Sequence, residues 1–86
     1  MALFVVILHS PDETAWDNIR KRWPDRSIIV DDRLALVKSG DTDLTRDIAS
    51  DVGIGADDDI SGVVVQMDYY SGNGPSFLAE WIGKNA

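Results

Sequence analysis

The sequence predicts an α/β (α+β) fold, with a four-stranded antiparallel sheet, two helices on one face and a further helix at the C-terminus. Three observations lead there. Two apolar strands, Ala2–Leu8 and Gly62–Met67, enclose a helix, a short hairpin and a second helix, which gives the order βαββαβ. Both strands are apolar at consecutive positions, whereas a strand with one wet face alternates, so both are expected to be buried on two faces. The chain is 86 residues long, which fits one domain with a small core, and such a domain buries only about 60% of the surface its unfolded chain exposes.

Strand one covers Ala2–His9, and its β-branched run Val5-Val6-Ile7 suits a pleated surface. Ser10-Pro11-Asp12-Glu13 reads as a helix start, with Ser10 as the cap, Pro11 at the first helical position and Glu13 closing a capping box. Helix one then runs from about Pro11 to Trp23. Trp16, Ile19 and Trp23 recur at helical spacing beside Ala15, and Arg20, Lys21 and Arg22 sit in the last turns, where cations complement the helix dipole. Pro24 ends it. Ser27–Val30 and Arg33–Ser39 form a hairpin about Asp31-Asp32. Leu34 and Leu36 point to one face of the return strand, Ala35 and Val37 to the other.

Gly40 breaks that strand, and Asp41 or Thr42 caps helix two, whose buried stripe is Leu44, Ile48 and Val52, widened by Ala49. Gly53 and Gly55 end it. Ala56–Asp59 is an acidic loop and Ile60–Met67 the last strand. Asp68–Gly74 is a turn-rich connector carrying Tyr69 and Tyr70. Helix three (75–85) opens on Pro75, presents Phe77, Leu78, Trp81 and Ile82, and closes at Gly83.

Two right-handed crossovers joined by a hairpin give a ferredoxin-like sandwich, with strands one and three central and strands two and four at the edges. Helices one and two cover one face. Helix three lies across the other, or strand four meets a second subunit; a homodimer is the preferred reading, because burying each such Val, Leu or Ile is worth about 1.5–3 kcal/mol.

Composition narrows the function. There is no cysteine, which removes disulfides, thiol nucleophiles and thiolate metal sites and fits a cytoplasmic setting. The net charge is −7; residues 1–43 carry six basic and eight acidic side chains, residues 44–86 two and seven. That balance argues against non-specific nucleic-acid binding. No leader or membrane span is expected, since the apolar run at the start is far shorter than the roughly 20 residues a spanning helix needs.

The segments FVVILHSPDETAWDNIRKRWPD, LALVKSGDTDLTRDIASDVG and SGNGPSFLAEWIGK together resemble small bacterial ferredoxin-like proteins. That group includes the CRISPR-associated nuclease-like subunit, the GhoS-type antitoxin ribonuclease and a SinR-like set. The resemblance implies a dimer built on the sheet, with nuclease activity or nucleic-acid association. The nuclease members carry an Asp at the end of strand one; this chain has His9-Ser10 there, with Asp12 as the first acid, and a hard cation prefers carboxylate oxygens.

Candidate site residues follow. His9 sits where strand one meets a helix start, so His9 and Asp12 are the catalytic candidates if the chain is a nuclease. As a satisfied surface histidine and a first-turn acid they need no such role. Arg20, Lys21, Arg22 and Arg26, interleaved with Trp16 and Trp23, are the candidate nucleic-acid patch, set against a solvated helix face with the two Trp in the core. Asp57-Asp58-Asp59 lacks the alternate ligand spacing of a calcium loop and reads as a solvated acidic loop. Gly53-Ile54-Gly55 and Gly72-Asn73-Gly74 read as caps or turns, without a dinucleotide-binding context. Val63, Val65, Tyr69, Tyr70, Phe77 and Trp81 are the interface candidates, against docking of helix three on its own subunit. No cofactor or metal is expected. The favoured function is a dimeric protein-binding or regulatory module in a toxin–antitoxin or phage-defence setting. The alternatives are a small metal-dependent nuclease and a dimer that senses a small molecule.

Overall fold

The computed structural model describes residues 2–40, 42–55, 60–67 and 76–85. Its elements are β1 (Ala2–Leu8), α1 (Glu13–Arg22), β2 (Ser27–Ile29), β3 (Leu34–Ser39), α2 (Thr45–Val52), β4 (Gly62–Met67) and α3 (Ser76–Asn85). The four strands form one sheet in the order β2-β3-β1-β4, antiparallel at every step. The expected placement, β1 and β3 inside and β2 and β4 at the edges, is what the sheet shows.

The core lies between the sheet and α1 and α2. Phe4, Val6 and Leu8 of β1 and Ala35 and Val37 of β3 meet Trp16, Ile19 and Trp23 from one helix and Ile48 and Val52 from the other. Each strand contributes alternate residues, as its period of two requires. Ile54, Ile60 and Val64 pack at the margin of this cluster.

Several local expectations are corrected. α1 begins at Glu13, not Pro11, and its cap is Asp12, not Ser10. The Asp12 carboxylate accepts from Thr14 N–H at 2.9 Å and Ala15 N–H at 3.3 Å. A carboxylate there satisfies two orphan donors and opposes the helix dipole as well, which a serine hydroxyl does less strongly. The hairpin is wider than Asp31-Asp32. Val30 N–H donates to Leu34 C=O at 2.8 Å and the Asp31 carboxylate accepts from Arg33 N–H at 2.8 Å, so β2 ends at Ile29 and β3 starts at Leu34.

α2 begins at Thr45, and neither Thr42 nor a neighbour caps it with a side chain; Asp41 lies outside the described residues. Leu44 takes the N-cap position, where it is 47% exposed rather than part of the buried stripe. Asp47 reaches back to accept from Leu44 N–H at 3.2 Å. The cause is Asp43, whose carboxylate turns to the end of β3 instead of to the helix. Gly53 ends α2 in the left-handed region at φ 102°, as expected of a glycine cap. β4 starts at Gly62, because Ile60 is held in a parallel bridge with Ile54. α3 runs through Gly83 to Asn85: Gly83 does not adopt the positive φ that would end a helix.

Candidate functional site

The sheet face turned away from α1 and α2 is the most distinctive surface of the molecule. Register places its side chains in rows. Ile28, Leu36, Val5 and Val65 form one row across all four strands; Leu34, Ile7 and Val63 form the next, and Lys38, Leu3 and Met67 another. Apart from Lys38 every one is apolar. In the first two rows exposure is greatest at the β4 end. Leu3 and Leu36 are buried and Val5 and Leu34 half-buried, but Ile7 is 42% exposed, Val65 47% and Val63 49%. Within one chain, then, β1 and β4 are not dry on both faces. One chain shelters the Leu3–Leu36 part of this face and leaves the β4 side bare, because α1 and α2 lie on the other side of the sheet. Ile82 of α3 is also buried and stands outside the core cluster on the helix side.

Of the interface candidates, Val63 and Val65 lie on this bare strip. Trp81 is half-buried and engaged in an interaction of its own. Tyr69 and Tyr70 lie outside the described residues, as does the side chain of Phe77. Ile7 belongs with Val63 and was missed: within a continuous apolar run its position says nothing about which side it faces, and only the register with Val63 does so.

His9 stands at the end of β1, exposed, with its backbone N–H donating to Ser61 C=O at 2.8 Å. It lines a shallow cleft of about 270 Å³ with Ile7, Leu8, Ser61, Gly62 and Val63. Asp12, its proposed catalytic companion, holds the N-terminus of α1. Among the described residues no three His, Asp or Glu side chains gather where they could hold a metal; Asp57, Asp58 and Asp59 lie outside those residues.

The basic cluster is partly spent within the chain. Arg20 pairs with Asp17 at 3.1 Å and Glu13 at 3.6 Å, and Arg22 pairs with Asp51 at 3.3 Å while its guanidinium lies 5.2 Å from the centre of the Trp23 ring. Such exposed pairs are worth little individually, but they partly offset the charges that would meet phosphate. Arg22 and Arg26 line a second hollow of about 250 Å³ with Trp23, Pro24 and Asp25. Trp16 and Trp23 are buried, so their rings are core and offer no stacking platform.

One polar network went unforeseen. The buried Ser39 hydroxyl accepts from Trp23 Nε1 at 3.3 Å and donates to the Asp43 carboxylate, which also accepts from Gly40 N–H at 2.9 Å. The Ser39 hydroxyl foremost, then Gly40 N–H and the nearby Arg22, hold the Asp43 carboxyl below the usual aspartate range, with partial desolvation opposing them. A depressed folded-state pKa adds stability that is fully present above the unfolded value, about 3.9, and is lost as pH falls through the folded one. The stability gap between wild type and Asp43→Asn is therefore expected to be widest above about pH 4 and to close on acidification. Urea titrations of both proteins between pH 2 and 7 check this; a gap independent of pH would remove the charge from the account.

No helix among the described residues is long and apolar enough to cross a membrane. No family model matches the sequence, and no curated protein or solved structure matches it.

Proposed function

We propose that this chain is a homodimeric protein-binding or regulatory module built on a ferredoxin-like sandwich, and that it works in a toxin–antitoxin or phage-defence setting. The strand order β2-β3-β1-β4 with antiparallel neighbours supports the fold reading. The setting comes from the family resemblance of the sequence. The observation that carries the assembly is the bare apolar strip of Ile7, Val63 and Val65. Full burial of one such side chain is worth about 1.5–3 kcal/mol, so even partial cover of the strip by a second copy is a useful term for a protein whose total stability is of the order of 5–15 kcal/mol. An apolar strip of this kind on a chain of net charge −7 supports an interaction surface on this side of the sheet.

The double variant Val63→Lys, Val65→Lys tests it. Both positions are already half-exposed, so the helix-side core is untouched and the circular dichroism spectrum should be unchanged. Sedimentation velocity across a concentration series should show a dimer for wild type and a monomer for the variant. A wild-type protein that stays monomeric at every concentration, or a variant that associates as strongly as wild type, would remove the reading.

A further inference from the structure

We propose that two copies of this chain join along the outer edge of β4, about a two-fold axis through Val64, into one continuous eight-stranded sheet. This rests on the homodimer reading above and deepens it by naming the surface and its register.

The backbone carries the argument. Leu8 N–H donates to Arg33 C=O and His9 N–H to Ser61 C=O, each at 2.8 Å. In an antiparallel ladder one residue turns both its backbone groups to one neighbour and the next residue turns them to the other. His9 and Ile7 thus face β4, and their partners Ser61, Val63 and Val65 face β1. Gly62, Val64 and Gln66 are left with N–H and C=O pointing outward. β4 is the end strand of the sheet, and among the described residues only Ile60, just before it, is engaged on that side, by its bridge to Ile54.

Sheets usually protect such an edge with charge, proline or a bulge. From Ser61 to Met67 there is neither a charged residue nor a proline, and the β1–β4 register runs without a bulge from Leu8↔Gly62 to Leu3↔Met67. The charge of −7 makes two copies repel over most of their surfaces; this neutral edge is where they meet at least cost. The bridge at Ile60 closes the edge on one side and so centres the pairing. An axis through Val64 sets Val64 against its own copy and Gly62 against Gln66 of the second copy. Three reciprocal pairs of two bonds each supply about six N–H···O bonds. The same axis brings Val63 beside Val65 of the second copy on the bare face, as a close cross-strand pair. The apolar row then continues from Ile7 of one subunit to Val5 of the other. The contact is isologous and closes on itself.

An edge of six residues gives an interface at the low end of the roughly 1,200–2,000 Å² typical of stable complexes, so the dimer should dissociate on dilution. Amide hydrogen exchange followed by NMR reads the register directly. The N–H groups of Gly62, Val64 and Gln66 should slow at least about tenfold from dilute to concentrated protein, while those of Val63 and Val65, already bonded to β1, should change little. Gln66→Pro removes one outward donor at an exposed position without taking a bond from β1; it should be monomeric with an unchanged spectrum. Cross-linking gives a measurement that does not depend on that variant folding. Chains carrying Val63→Cys mixed with chains carrying Val65→Cys should form disulfides between the two kinds faster than either kind alone, since a close cross-strand pair lies within disulfide reach. A dimer whose outward amides exchange at one rate at all concentrations, or which cross-links without preference for the mixed pair, associates by another surface; the edge proposal then falls and the homodimer reading stands. A monomer at every concentration overturns both.

Discussion

Phe4→Ala is expected to lower the unfolding free energy by about 3–5 kcal/mol, a large share of the roughly 5–15 kcal/mol that holds a small domain folded. Phe4 is fully buried at the centre of β1, the strand that pairs on both sides, and it meets the helix layer between Ala2 and Val6. Truncation removes the ring from water-free surroundings and leaves a cavity whose walls are already committed to two ladders, so the site collapses poorly. The informative comparison lies three residues on. Ile7 belongs to the same apolar run but is 42% exposed on the other face. Ile7→Ala should cost a fraction of the Phe4 loss when measured on dilute, monomeric protein. Urea unfolding of the two variants at equal low concentration checks the pair; comparable losses would mean that both faces of β1 are equally dry in one chain.

The second large effect is expected from a single methyl group. A Cβ at Gly62 would lie 2.5 Å from the Ile7 carbonyl oxygen and 3.2 Å from Leu8 Cα. Both are backbone atoms of the central strand and cannot swing aside. Gly62→Ala must therefore push β4 away from β1 at its first paired residue. A cost of about 2–3 kcal/mol is expected, together with faster amide exchange at Val63, where β4 begins to bond β1. Gly62 does not adopt a positive φ, so the requirement is for close approach of two strands. Unfolding measurements that place Gly62→Ala within about 0.5 kcal/mol of wild type would show that the strands can separate there without penalty.

The elements of this fold were readable because their signals are local. Trp16, Ile19 and Ile48 recur at helical spacing, Gly53 supplies a left-handed cap, and the crossover order then allows few sheets. What could not be read depended on choices between neighbours. Ser10 and Asp12 are both good caps, and only the position of the first helical N–H groups decides between them. Asp43 was free in sequence to help start α2, and it binds Ser39 and Gly40 at the end of β3 instead, while Leu44 takes the N-cap position and is exposed. The candidate site was half legible. Val63 and Val65 stood out as an apolar run, but a run with no alternation hides which side chains share a face. Ile7 joined them only through the β1–β4 register. The Ser39–Asp43–Trp23 network has no sequence signature, because its members are held together by the end of β3 and the end of α1.

The two borders of the sheet are unequal. β2 is three residues long, and one residue, Val30, separates it from Asp31, Asp32 and Arg33. A short border flanked by charge is a poor template for strand addition, and among the described residues it leaves the β4 edge as the place where such growth can start. In the pairing proposed above, filling that place leaves no border to extend, so the assembly would close as a pair and not run on into a filament.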